Sequence, residues 1–306
     1  MHKSSKIYVA GHKGLVGSAI LSNLQNRGFT NIVTKTRHQL NLINTQQVEE
    51  FFQKEQPEYV FNAAAKVGGI HSNNTYSGDF IYENLQIQNN LIHFSAKNNV
   101  KRFLFLGSVC IYPKFANIPV KESSLLTGSL EPTNDAYAVA KIAGIKMCQA
   151  YYKQYGLSSV SIMPANLYGP NDNFDIINGH VIPAMLMKFK SNPPRVTLWG
   201  DGSAYREFLY VNDMADACVF LMEHPDLGKG EIINAGSGYD ITIKDLAYKI
   251  ATLVNFKGEI FWDTSKPNGT PRRLLDNSFI NSLGWTPKYT LDQGLLATYE
   301  WIKNNH

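Results

Sequence analysis

Three features of this 306-residue sequence predict an α/β fold, a doubly wound parallel sheet with a smaller, interleaved C-terminal lobe. Short apolar strands alternate with helix-length segments through the first half, the rhythm of a parallel sheet covered on both faces. Gly11, Gly14 and Gly17 stand between the first strand and the first helix. Phe103–Leu106 is apolar at every position, as in a strand buried on both sides.

The elements follow in order. Lys6–Ala10 reads as a short apolar strand, and Gly14–Arg27 carries helical periodicity. Ile32–Lys35 is a second strand, Thr45–Glu55 a second helix and Glu58–Asn62 a third strand. Phe80–Asn98 reads as a long helix leading to the strand Phe103–Leu106. Asn134–Tyr155 is another long helix, and Ser159–Met163 the next strand. After Pro164 the rhythm changes. Asn166–Asn178 is rich in Gly, Pro, Asn and Asp and reads as loop. His180–Lys190 is helical and ends before Asn192-Pro-Pro. Glu207–Val211 and Ile232–Ala235 return as strands around the helix Asn212–Met222. The remainder mixes short helices with the loop Lys266-Pro-Asn-Gly-Thr-Pro. This pattern predicts a nucleotide-binding domain from 1–164 plus about 207–236, and a substrate lobe from about 165–206 plus 237–306.

Composition bounds the function. The chain is 44% hydrophobic and 18% charged, ordinary for a soluble globular protein. A net charge of +4, without Lys/Arg runs, gives no reason to expect nucleic acid. No segment has the ~20 apolar residues of a membrane span. Met1–Gly11 reads as a first strand, not a signal peptide. Cys110, Cys148 and Cys218 are scattered and odd in number, without metal-ligand spacing. They predict reduced thiols in a cytoplasmic protein that binds no metal.

Glycines placed between a strand and a helix let the backbone approach a pyrophosphate, where helix amides and dipole favour anions. The same spacing could serve a tight turn with no ligand, but its position predicts a dinucleotide site. The second strand ends Thr34-Lys35-Thr36-Arg37, without the carboxylate that holds the ribose 2′-hydroxyl of NAD. Arg37, with Lys13 in the glycine loop, suits the 2′-phosphate of NADP(H). Ala63 and Ala64 follow the third strand and offer small side chains for close approach.

Tyr137 and Lys141, in Asp-Ala-Tyr-Ala-Val-Ala-Lys, share one helical face. Bringing a phenol from about 10 toward 7 takes roughly 4 kcal/mol of differential stabilisation. A nearby ammonium and an oxidised nicotinamide are the charges that could supply it. Ser108 lies past the fourth strand, at the carboxyl edge where doubly wound sheets bind ligands. Together these residues point to hydride chemistry at a carbon–oxygen bond. Cys110 by itself reads as a small buried hydrophobe, and His180 as a capping or surface histidine. Beside a ketone, the two would suit proton movement at the flanking carbons.

The runs Gly11-His-Lys-Gly-Leu-Val-Gly, Asn62-Ala-Ala-Ala-Lys-Val-Gly-Gly-Ile, Leu106-Gly-Ser-Val-Cys-Ile-Tyr-Pro-Lys, Glu131-Pro-Thr-Asn-Asp-Ala-Tyr-Ala-Val-Ala-Lys and Asn166-Leu-Tyr-Gly-Pro-Asn-Asp-Asn-Phe closely resemble the GDP-L-fucose synthase family. These are dual epimerase–reductases of the extended short-chain dehydrogenase/reductase class, built on a Rossmann sheet. The resemblance implies a homodimer that binds NADPH and a GDP-linked 4-keto-6-deoxy-mannose, epimerises C3 and C5, and reduces C4. It implies Tyr137 as general acid, Lys141 lowering its pKa and holding the nicotinamide ribose, and Ser108 polarising the carbonyl. Cys110 and His180 match the epimerisation base and acid. Cofactor contacts are implied for Leu15, Val16, Asn41 and Leu42 near the glycine loop. Others are implied for Leu106, Gly107, Pro164, Asn166 and Leu167 at the strand ends, and for His180. Lys188, Trp199, Arg206 and Asn268 match positions that hold the GDP-sugar.

The chain departs from the family in places. Lys13 and Lys188 stand where arginine is frequent, which removes bidentate phosphate contacts. Asn268 stands where aspartate is common at a substrate contact. Segments around Ser191–Arg195 and Pro225–Gly230 are shorter. A C4 reductase without epimerase activity, acting on a related GDP-4-keto sugar such as a GDP-6-deoxy-4-keto-heptose, is the alternative expectation. Dehydratases carry an Asp-Glu pair after the active-site Ser/Thr, and here Val109-Cys110 follow. A non-catalytic NADP sensor would not need serine, tyrosine and lysine together.

Overall fold

The computed structural model describes residues 1–176, 179–266, 268 and 270–305, with backbone alone at Ile70 and His71. The far end of the expected loop, Asn178, lies outside the described residues, as do Pro267 and Gly269 of the later one. Six parallel strands form the central sheet: β1 (Ile7–Ala10), β2 (Ile32–Val33), β3 (Tyr59–Asn62), β4 (Arg102–Leu106), β5 (Ser159–Pro164) and, much later, β9 (Lys229–Ala235). Their order is β2-β1-β3-β4-β5-β9. The order reverses between β1 and β3, so the strand ends there open into a crevice.

The core follows from composition. Ile7, Val9, Val60, Phe61 and Phe103–Phe105 of β4 are fully buried between helical layers. On one face lie α2 (Thr45–Glu55), α4 (Ser77–Lys97) and α5 (Asp135–Tyr155); α1 (Leu15–Asn26) and α7 (Val211–Glu223) pack against each other on the other face. Asn44 caps α2 by accepting from the Gln47 amide at 3.0 Å. Gly156, at φ +72°, ends α5 in the left-handed conformation. Short α3 (Ile70–Thr75) precedes α4.

A second sheet is built on β8 (Tyr205–Tyr210), a strand the sequence grouped with the nucleotide-binding domain but whose partners all lie outside the six-stranded sheet. This strand pairs antiparallel with β10 (Asp240–Thr242), and parallel with β12 (Arg272–Arg273) and β6 (Asn166–Tyr168). A separate parallel pair joins β7 (Arg195–Trp199) to β11 (Glu259–Asp263). α6 (Val181–Lys190) and α8 (Ile243–Leu253) pack together, and α9 (Ser278–Ser282) and α10 (Leu291–Asn305) complete the chain.

Several boundaries differ from expectation. β2 stops at Val33 because it is an edge strand that only β1 pairs, leaving Thr34–Arg37 as loop. The expected loop from Asn166 contains β6, a strand created by its partner β8. β7 and β11 carry no long apolar run, and their mutual pairing decides them. The last helix, α10, is 15 residues long, where only short helices were expected. Its Gly294, Leu295, Thr298 and Ile302 make a narrow buried stripe.

Candidate active site

The dinucleotide end is set by backbone packing. Gly11 has φ +79°, and a Cβ there would lie 2.8 Å from the backbone of Ala63 and Ala64. The Gly14 amide donates to the Gly11 carbonyl at 3.0 Å, closing the turn from β1 into α1. Gly14 caps α1 without a side-chain hydrogen bond, and the first turn holds no acid. An anion therefore meets helix amides without competition. Gly17 serves the same cradle from behind: a Cβ there would fall 2.1 Å from the Gly11 carbonyl oxygen. Gly17 and Lys13 lie outside the lining of the cleft, and Lys13 is exposed.

These residues open into one cleft of about 1170 Å³. Single-ligand pockets are usually about 300–1,000 Å³, so this one has room for two large ligands. Gly11, Gly14, Leu15, Val16, Asn41 and Leu42 line one end, facing Ala63 and Ala64. Leu106, Gly107, Pro164, Asn166 and Leu167 line its floor at the strand ends. Arg37 reaches the rim with a 76% exposed side chain, 3.6 Å from Glu83 of α4. Glu83 also binds Lys66 at 2.5 Å. The acid near the end of the second strand thus comes from α4, and two cations already hold it.

Ser108 lies two residues beyond β4 and caps a 3₁₀ turn, its Oγ accepting from the Cys110 amide at 3.2 Å. That bond orients the thiol-bearing turn. Tyr137 and Lys141 occupy one face of α5, as the spacing requires. Lys141 is 3% exposed; its Nζ donates to the Leu106 carbonyl at 2.8 Å and lies 5.7 Å from the Tyr137 ring centre. Burial lowers its pKa to about 8. Tyr137 keeps some surface toward the cleft, yet the protein around it pushes its phenol well up. Cys110 adds to that rise, and the Ser108 hydroxyl opposes it. A single ammonium committed to a carbonyl does not outweigh burial, so lowering the phenol takes further positive charge beside it.

Cys110 is a free, half-buried thiol whose Sγ accepts from Asn134 Nδ2 at 3.1 Å. It lines the cleft, and so does His180. His180 sits at the N-cap of α6 but makes no side-chain capping bond. Its Nδ1 faces Asp172 Oδ1 at 3.3 Å instead. The bond to Asp172 raises the histidine pKa against the lowering by burial. The thiol, phenol and imidazole therefore front one space.

At the far end Lys188, Trp199, Arg206 and Asn268 line the same cleft. Lys188 Nζ reaches the Thr197 carbonyl at 3.3 Å, and burial lowers its pKa. The Trp199 indole is 57% exposed, a flat surface open to a ligand. Arg206 donates to the Tyr205 carbonyl at 2.7 Å; burial and the neighbouring Arg273 both lower its pKa. The second positive charge behind Arg206 favours an anion on its cleft side. Asn268 Oδ1 is engaged within the protein, accepting from the Asp201 amide at 2.9 Å.

Sequence reasoning missed Asp172, Asn134 and Arg273. None is periodic with the residue it serves, and only the folded loops bring them there. Among the described residues, no group of three or more His, Cys, Asp or Glu could hold a metal ion. Among them, too, no helix is long and apolar enough to cross a membrane.

Comparison with known proteins adds the lineage. The model of the NAD dependent epimerase/dehydratase family matches residues 7–236. The chain is 57% identical to a putative GDP-L-fucose synthase 2 of Arabidopsis thaliana, over 100% of this chain and 94% of that one. It is 49% identical to the GDP-L-fucose synthase of Escherichia coli (strain K12), over 98% and 97%. Among solved structures it is similar to a GDP-mannoheptose C4 reductase from Campylobacter jejuni with NADP bound. There the TM-score is 0.91 and the identity 42%, over 99% of each chain. This chain belongs to the NAD-dependent epimerase/dehydratase family, within the GDP-L-fucose synthase branch of the extended short-chain dehydrogenase/reductases.

Proposed function

We propose that this enzyme converts GDP-4-keto-6-deoxy-mannose to GDP-L-fucose, by epimerisation at C3 and C5 and NADPH-dependent reduction at C4. The observation that carries the reading is the convergence of Cys110, Tyr137 and His180 on one cleft that also holds Ser108 and Lys141. A reductase needs only the serine, tyrosine and lysine. The added thiol and imidazole give the cleft a proton acceptor and a proton donor.

A 4-keto group acidifies the hydrogens on C3 and C5. Cys110 takes such a proton, while Ser108 and Tyr137 hold the developing enolate oxygen by hydrogen bonds. His180, favoured as imidazolium by Asp172, returns a proton to the opposite face. NADPH supplies the hydride to C4 when bound. Tyr137 gives its proton to the C4 oxygen, and Lys141 holds the ribose and adds positive charge. Gly11 and Gly14 cradle the pyrophosphate, and Arg37 receives the 2′-phosphate. Lys188 and Arg206 hold the GDP diphosphate, with Trp199 packed against the ligand and Asn268 shaping the loop beside it. Fixing all these groups around one ring makes each step effectively intramolecular.

The division into a nucleotide-binding domain (1–164 plus about 207–236) and a substrate lobe is part of this reading. β9 supports it by returning to the sheet beside β5, whereas β8, at the start of 207–236, pairs in the second sheet. We place the enzyme in the cytoplasm as a homodimer, on the strength of family likeness and three free cysteines.

Product analysis with NADPH and GDP-4-keto-6-deoxy-mannose in heavy water tests the proposal. GDP-L-fucose labelled at C3 and C5 is the expected product; reduced product without deuterium at either carbon refutes the epimerase half. A second reading, C4 reduction of a GDP-4-keto heptose without epimerisation, draws on the likeness to the GDP-mannoheptose C4 reductase. The same experiment with that sugar separates the two.

A further inference from the structure

We infer that Asp172 is the positioning residue of the epimerisation step, holding His180 with Nδ1 turned inward so that Nε2 presents its proton to the substrate. The inference rests on the proposed role of His180 as proton donor.

The geometry around Asp172 is unusual for a loop carboxylate. Its side chain is 3% exposed, in a segment that otherwise reads as surface loop. Oδ1 accepts from the Asn173 amide at 2.8 Å and faces His180 Nδ1 at 3.3 Å. Oδ2 is buried and, among the described residues, has no hydrogen-bond partner. A carboxylate taken out of water with so few donors calls for a cation beside it. Among the described residues, Asp172 is also the charged group whose interaction acts on His180. The segment is anchored from behind, because Asn171 Nδ2 donates to Ser18 Oγ of α1 at 3.2 Å. The residue before Asp172 is thereby tied to helix α1.

The consequence for chemistry follows from the two ring nitrogens. With Nδ1–H donated to Asp172, the other nitrogen is the one left for the cleft. In the donating step the Nε2–H bond breaks and the enolate electron pair forms the new C–H bond. A neutral imidazole remains, and it is recharged from solvent. Asp172 stays hydrogen-bonded to Nδ1 and stabilises the protonated ring before the transfer.

The test uses the full chain with Asp172→Asn and Asp172→Glu, in heavy water with NADPH and GDP-4-keto-6-deoxy-mannose. In Asp172→Asn, deuterium incorporation is expected to fall by about 100-fold, within the range of general acid catalysis. Its alkaline limb should move to lower pH, because an unpaired histidine loses its proton sooner. Asp172→Glu should restore part of the rate and return the limb toward wild type. A wild-type melting temperature in both variants shows that the fold is kept. Wild-type rate and an unmoved pH limb in Asp172→Asn overturn the inference. Should Asp172→Asn fail to fold, the ¹⁵N shifts of His180 in the wild-type protein decide: a protonated Nδ1 at neutral pH supports the pairing, an unprotonated one overturns it. Wild-type enzyme that incorporates no deuterium at all refutes the epimerase reading beneath, which distinguishes the two failures.

Discussion

Replacing Gly17 by alanine isolates the glycine cradle from direct ligand contact, because Gly17 does not line the cleft. The added Cβ would fall 2.1 Å from the Gly11 carbonyl oxygen, 2.5 Å from its carbon and 2.9 Å from the His12 amide. All three are backbone atoms, so no side chain can swing aside. Gly11 has little room of its own, since even a Cβ built on it would lie 2.8 Å from the backbone of Ala63 and Ala64. The strain of such overpacking is about 1–3 kcal/mol. If the loop moves to relieve it, NADPH affinity falls by roughly 5- to 150-fold, at about 1.4 kcal/mol per decade. Fluorescence titration of NADPH, beside a thermal melt, reads both effects. A variant with unchanged affinity and unchanged melting temperature would refute the argument that packing behind the turn places the pyrophosphate site.

Four further outcomes are expected. Tyr137→Phe should abolish NADPH oxidation while solvent deuterium still enters C3 and C5, read by mass spectrometry of recovered substrate. Cys110→Ser should do the converse, and equal loss of both activities in a folded Cys110 variant would argue against separate roles. Arg37→Ala should lose roughly 10- to 100-fold in NADPH affinity and little for NADH, given about 1.5–3 kcal/mol for a charged hydrogen bond; the surface pair with Glu83 is too weak to mask this. Reduction that depends on a charged Lys141 should decline as pH rises through about 8, where burial places that group. In a pH profile of kcat/KM for reduction, Lys141→Arg should move this limb upward, because a guanidinium stays charged.

Much of the fold was legible because local rules agreed with the tertiary outcome. Thr45–Glu55 is a helix with the bounds read from the sequence, and Asn44 caps it. The continuous apolar run Phe103–Leu106 lies in a strand with sheet partners on both sides. Where local signals were weak, partners decided. β6 exists because β8 lies alongside, and β7 because β11 does. Asp172 shows the same limit at the site: it lies inside the family-like run from Asn166 to Phe174, but its pairing with His180 is a contact that only the fold makes.

The sequence by itself determined the parallel sheet, the glycine turn, and the placing of Tyr137 and Lys141 on one helical face. Each of these follows from spacing along a single element, where geometry repeats every few residues. Tertiary structure alone decided which groups meet: Cys110 with Asn134, His180 with Asp172, Arg206 with Arg273, and Lys141 with the Leu106 carbonyl. Burial then set their charges, raising the phenol and lowering the lysine. Those are properties of surroundings assembled from distant segments, and no local pattern encodes them.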